Sequence, residues 1–182
     1  MTQELVQEIA NQPIPNELLV DDDITLVRFR PEDAESIYNL VDQNRDFLAQ
    51  THDWAAIFTP EMAQGGVANM AAEGDNGTTA AYKMLYQGEL VGVINLSDRI
   101  DSSAEMAYWM AESAQGKGIA TRSANRLLSF GFNEWGLTNV TLQIEKSNER
   151  SQRLAQKMGA HLVGEVAEQP SSDLWKISKH EQ

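Results

Sequence analysis

The chain has 182 residues, no cysteine, and a net charge of −13 from 14 Lys+Arg against 27 Asp+Glu. That is enough chain for one domain with its own core, and it excludes disulfides, thiolate metal sites and a cysteine nucleophile. The acidic balance argues against a nucleic-acid binder, which needs a basic face.

No apolar run approaches the roughly 18 residues of a membrane span. Residues 1–10 carry two Glu and no base, unlike a secretory signal, so the cytoplasm is the expected compartment. Residues 1–22 read as a polar lead-in, and one domain is expected over 23–182. The Asp21-Asp22-Asp23 run lacks the alternation, Gly and Glu of a calcium loop and reads as a solvated turn.

Residues 24–29 alternate and predict a strand. Pro31 suits a first helical position, and Glu32, Asp33 and Glu35 suit the helix dipole. Ala34, Ile37, Leu40 and Val41 supply the apolar stripe. A short helix carries Phe47 and Leu48, and Thr59-Pro60-Glu61 opens another that stops near Gly74. Residues 78–86 and 89–97 flank Gln87-Gly88 as a hairpin, and 103–111 is the next strand. Ala120, Ala124, Leu127, Leu128 and Gly131 have helical spacing within 119–135. Residues 138–145 alternate as a strand. A helix over 149–158 ends at Gly159, and strands at 161–166 and 174–178 close the chain around a Pro170-Ser171-Ser172 turn. The order predicts a mixed α/β (α+β) domain on one sheet.

Charge is uneven. Residues 1–50 hold 11 acids and 3 bases, whereas 117–157 hold seven bases and three acids, a local +4. That stretch is either an anion site or a pair of solvated helix faces. Within it lies Gln115-Gly116-Lys117-Gly118-Ile119-Ala120-Thr121, entered by a strand and left by a helix. Paired glycines let a backbone approach a ligand closely, and the helix start offers unpaired amides to an anion such as a pyrophosphate. A Walker loop is ruled out by Ala111 and Gly118, where it needs Gly and Ser or Thr. A dinucleotide fingerprint is ruled out by Thr121 and by the position past mid-chain.

Gln115-Gly116-Lys117-Gly118-Ile119-Ala120 resembles the acetyl-coenzyme A pyrophosphate loop of the GNAT N-acetyltransferases. Ala104-Glu105-Met106-Ala107-Tyr108-Trp109-Met110 is similar to the preceding strand of the RimL-type branch, which acetylates ribosomal proteins on serine or alanine. Asn148-Glu149-Arg150-Ser151 with Lys157-Met158-Gly159 resembles that branch's Asn-x-x-Ser helix start. Asn44-Arg45-Asp46-Phe47-Leu48, Asp53-Trp54 and the hairpin 88–92 also resemble it, so the likeness spans 24–178.

The resemblance implies a mostly antiparallel twisted sheet of about seven strands and four helices, with one splayed strand pair that takes acetyl-CoA. It implies that the main chain of Tyr108, Trp109 and Met110 pairs with the pantetheine in the manner of an added strand. Gln115, Gly116, Lys117, Gly118, Ile119, Ala120 and Thr121, with Asn148 and Arg150, would bind the rest of the cofactor. Glu105 would be the general base, through water, and Ser151 would donate to the thiolate. Asn44, Phe47 and Trp54 would wall the acceptor side. The implied acceptor is a primary amine, foremost a protein N-terminus, attacked directly in a ternary complex. A small amine and a non-catalytic acetyl-CoA-binding module remain the alternatives. No membrane, nucleic-acid or metal partner is expected, and a homodimer is possible. Glu105 could equally be an ordinary outward strand residue, Ser151 a first-turn residue, and Asn148 a plain helix cap. His52, His161 and His180 show no metal spacing. Ala107 and Ala160 replace residues usual in the family, which bears on the acceptor and the dimer more than on the cofactor.

Overall fold

The computed structural model describes residues 14–179. His180 and the residues before 14 lie outside that range. Eight strands form one sheet in the order β1-β2-β3-β4-β5-β6-β8-β7. They are β1 (Glu17–Leu19), β2 (Ile24–Arg28), β3 (Ala80–Tyr86), β4 (Glu89–Ile100), β5 (Ser103–Met110), β6 (Asn139–Glu145), β7 (His161–Val166) and β8 (Gln169–Ser178). Every neighbouring pair is antiparallel except β5 and β6. The six helices among the described residues are α1 (Ala34–Gln43), α2 (Arg45–Leu48), α3 (Asp53–Ala56), α4 (Pro60–Asp75), α5 (Ile119–Asn133) and α6 (Glu149–Lys157).

Strand alternation sorts side chains to two faces. Tyr82, Met84, Ile94, Leu96, Ala104 and Met106 pack with Leu127, Leu128 and Phe130 of α5 in the larger core. Ala81 and Val93 point the other way, against Ile37 of α1 and Val67 and Ala71 of α4. Each fully buried aliphatic side chain contributes about 1.5–3 kcal/mol, so α5 on one face and α1 with α4 on the other clamp the sheet. Caps fix the helix starts: Thr59 accepts from Met62 N at 3.3 Å, and Asn148 accepts from Ser151 N at 3.1 Å. Gln87 (φ 53°) and Gly88 (φ 84°) make the tight β3–β4 turn.

Two expectations need correction. The polar lead-in contributes β1, with Leu18 and Ile14 buried in the larger core. Here the Asp run is indeed a turn: Asp21 Oδ1 accepts from Asp23 N (2.9 Å) and Ile24 N (3.0 Å) and folds β1 back on β2. At the other end, Pro170-Ser171-Ser172 is not a turn but lies inside β8. A register shift between Glu165 and Val166 of β7 leaves the missing proline N–H without consequence. With the one-turn helices α2 and α3, the count rises to eight strands and six helices against the seven and four expected.

Candidate active site

The parallel pair β5 and β6 is joined only where Ser103, Ala104 and Glu105 face Asn139, Val140 and Thr141. Beyond that fork, β5 continues to Met110 against β4 alone, and β6 continues to Glu145 against β8 alone. The main chain of residues 106–110 therefore turns a free strand edge into the gap. An unpaired edge is a template for another extended chain. The gap opens into a cleft of about 720 Å³ whose walls include Tyr108, Trp109, Gln143, Asn148, Arg150 and Ser151.

Gly92 sets the shape of β5 at this point. It pairs with Met110, and a Cβ there would lie 2.3 Å from Trp109 O and 2.9 Å from Met110 Cα. Only glycine lets β4 cross β5 this closely.

At the end of β5 the chain makes a turn over Glu112–Ala114 and enters the glycine loop. Gly116 (φ 76°) and Gly118 (φ 71°) are both left-handed, a conformation other residues adopt at a cost of about 1–2 kcal/mol. Gly118 is the cap of α5 and brings no side chain, so the first amides of that helix have no partner within it. The positive end of the helix dipole lies at the same place. Gln115 Nε2 donates to Met110 O (3.3 Å) and Ala111 O (3.5 Å), which ties the loop to the strand edge. Gln115 and Ala120 line the cleft. Gly116, Lys117, Gly118, Thr121 and the buried Ile119 do not. The Lys117 ammonium sits 5.3 Å from the Tyr86 ring centroid.

The facing wall is the start of α6. Asn148 is the helix cap through its Oδ1. Ser151 Oγ and Tyr108 Oη are hydrogen-bonded at 2.9 Å, and burial pushes the Tyr108 phenol up. Arg150 lies 5.8 Å from the Phe47 ring centroid and links α6 to α2. Within the stretch Arg126 pairs with Glu134 (3.7 Å) and Arg153 with Glu149 (3.0 Å), acids already counted in the local +4. Two acids from outside it reduce the charge further, Asp21 on Arg122 and Glu165 on Lys146. The loop amides, more than the basic count, are what this stretch could offer an anion.

Glu105 stands at the fork but lines neither cavity. Its carboxylate accepts from Gln143 Nε2 at 2.9 Å, and Gln143 does line the cleft. Burial raises its pKa, Gln143 opposes the rise, and Asp98 adds to it. Asn44 also lines neither cavity. Its Oδ1 accepts from Glu112 N (2.9 Å) and its Nδ2 donates to Leu40 O (2.9 Å), so it clips the end of α1 to the turn after β5. Phe47 lines the cleft, and Trp54 lines both cavities.

The second cavity, about 280 Å³, lies between the sheet and α4 and shares Ala107, Tyr108, Trp109, His52 and Trp54 with the cleft. Trp54 meets Trp109 (5.9 Å) and Phe58 (5.4 Å) edge to face. Arg45 holds this wall by donating to Ala55 O (2.7 Å), Ala56 O (3.3 Å) and Phe58 O (3.1 Å). His52, which sequence spacing left isolated, sits where the two cavities meet. Its Nδ1 is 2.9 Å from Thr51 Oγ1. Burial lowers its pKa, opposed by the main chain of Leu48 and Tyr108 and by the Glu145 charge. No local signal marks His52, since its neighbours at the junction come from β5 and β6.

Residues 23–161 match the family model described as an acetyltransferase (GNAT) domain. The chain belongs to the GNAT acetyltransferases. It is 30% identical over 148 residues to a putative ribosomal N-acetyltransferase, YdaF, of Bacillus subtilis (strain 168), covering 77% of this chain and 79% of that protein. It is 31% identical over 81 residues to the spermidine N(1)-acetyltransferase of Escherichia coli (strain K12), covering 43% and 44%. A solved structure of RimL, a ribosomal L7/L12 alpha-N-protein acetyltransferase in complex with coenzyme A, superposes with a TM-score of 0.83 at 20% identity over 91% of this chain and 99% of that one. This GNAT acetyltransferase therefore carries the family's fold as the sequence implied. No helix among the described residues is long and apolar enough to cross a membrane.

Proposed function

We propose that this acetyltransferase takes acetyl-CoA into the cleft and transfers the acetyl group to the α-amino group of a protein N-terminus, a ribosomal protein being the expected carrier. The observation that carries the reading is one cleft bordered by the free β5 edge and, through Gln115 and Ala120, by the two ends of the glycine loop that opens α5. The residues present fit the cofactor. The amides of 115–120 suit a diphosphate, the edge at 108–110 suits pantetheine amides, and Arg150 adds positive charge at the mouth. When bound, acetyl-CoA supplies an activated thioester.

The chain's own groups then orient and move protons. A protein α-amine has a pKa of about 7.7–8.0, so the base removes a loosely held proton. Glu105, off the cleft wall and hydrogen-bonded by Gln143, is the proposed final acceptor, reached through water. Ser151, hydrogen-bonded by Tyr108, would donate toward the departing sulfur. A main-chain N–H near Trp109 or Met110 would hold the oxyanion. The reading has the cytoplasm as its setting and a homodimer as its assembly. The half-exposed Leu162 and Val163 on edge strand β7 are the surface that supports the latter.

The test is thiol release from acetyl-CoA with intact-mass detection on ribosomal-protein N-terminal peptides. Acetylated peptides are expected, and Glu105→Gln is expected to lower turnover by about 10²-fold with little change in coenzyme affinity. Modification of small amines with no peptide turnover would reject the protein acceptor. Coenzyme binding without turnover on any amine would favour a binding module.

A further inference from the structure

The cavity beneath Trp109 is more apolar than attack on a bare amine requires. Its walls are mainly side chains such as Phe29, Phe58, Val67 and Met70, and no Asp, Glu, Lys or Arg lines it. Three of its polar atoms already have partners. Asn95 Oδ1 accepts from Ala107 N (3.2 Å), His52 is bonded to Thr51, and Tyr108 to Ser151. The cavity meets the cleft at Ala107, Tyr108 and Trp109, beside the free strand edge.

We propose that this cavity is a side-chain pocket of the acceptor site, and that the acceptor is a primary amine carried next to a bulky aliphatic or aromatic group. The inference rests on the acetyltransfer reading above and narrows its substrate. A polyamine would place a second ammonium where no carboxylate faces it, and a buried unpaired charge is strongly disfavoured. A serine or alanine side chain would leave most of the 280 Å³ unfilled. A phenylalanine, leucine or methionine side chain takes up more of that space and adds apolar contacts. Met62 at the rim and Met70 within supply unbranched walls that adapt to shape.

Gly66 of α4 provides the test. It lines the cavity, and a Cβ there meets nothing within 4 Å, so a side chain can start from this position without moving the backbone. Peptides identical beyond residue 1 and beginning with Phe, Leu, Ala or Ser are compared with spermidine by thiol release, using the full chain. Acetyl-CoA uptake is measured on the same samples. The Phe or Leu peptides are expected to exceed the Ala and Ser peptides and spermidine in kcat/KM by roughly tenfold or more. Gly66→Leu is expected to cut that preference by roughly tenfold, with Gly66→Ala between, and melting curves report that each variant is folded. Preference for Ser, Ala or spermidine would overturn the pocket while leaving acetyl transfer intact. A preference unmoved in folded Gly66→Leu would do the same. Coenzyme uptake with no thiol release on any acceptor would instead overturn the parent reading.

Discussion

Gly92→Ala adds one methyl group where β4 presses on β5. The new carbon would lie 2.3 Å from Trp109 O, 2.8 Å from Met84 Cε and 2.9 Å from Met110 Cα. Met84 can swing away, but the two β5 atoms are backbone. Ordinary contact needs a gap of more than 3 Å, so the strands must separate by most of an ångström. Forcing an extra carbon into a packed region costs about 1–3 kcal/mol. For a domain of this size each kcal/mol moves Tm by about 2–4 °C, giving an expected fall of about 2–12 °C. The displaced segment is the edge offered to the coenzyme, so its affinity is expected to fall as well. Differential scanning calorimetry reads the first effect and titration with acetyl-CoA the second. Gly65→Ala is the control. Its Cβ meets nothing within 4 Å in the middle of α4, and alanine favours a helix by about 1 kcal/mol. A Gly92→Ala protein that melts with the parent and binds coenzyme equally would refute the close-approach reasoning.

Three further outcomes are expected. Tyr108→Phe and Ser151→Ala should each slow turnover, and the double variant should lose less than the sum, because both remove the same 2.9 Å hydrogen bond; additive losses in kinetics would separate the two residues. His52 has a pKa held below the ordinary 6.5 by burial, so the unfolded chain binds its proton first as pH falls. Its contribution to stability is full above 6.5 and is lost as pH falls through the lower folded value, so His52→Gln should melt with a weaker dependence on pH below 6.5 than the parent; parallel melting profiles would count against this. Asn148→Ala removes the α6 cap and should cost about 1 kcal/mol. Thermal melting checks that loss, and an unchanged Tm would mean the cap is redundant.

Much of the fold could be read from the sequence where a period repeats several times. The hairpin around Gln87-Gly88 and the stripe on α5 are such cases, because alternation and helical spacing reflect burial directly. β1 escaped because three residues with one buried side chain, Leu18, carry no period. β8 was cut short because a Pro-Ser-Ser triplet has turn chemistry, and only the register shift opposite it in β7 makes a strand possible. In the site, the glycine loop is contiguous and therefore visible. The ion pairs that drain its positive neighbourhood join residues as distant as Asp21 and Arg122. Asn44 fits the family's pattern, but its side chain serves as a main-chain clip. His52 and the second cavity are products of packing, since Phe29, Trp54, Met70 and Trp109 converge only in three dimensions.

The central claim is that glycine geometry at the head of α5 lets main-chain amides hold the coenzyme's diphosphate. Isothermal titration of acetyl-CoA into the parent protein and into Gly118→Val tests it most directly. Saturable binding by the parent is expected, with affinity lowered at least tenfold when a β-branched residue must occupy φ 71°. Equal affinity in the two folded proteins, or no uptake by the parent, would contradict the account.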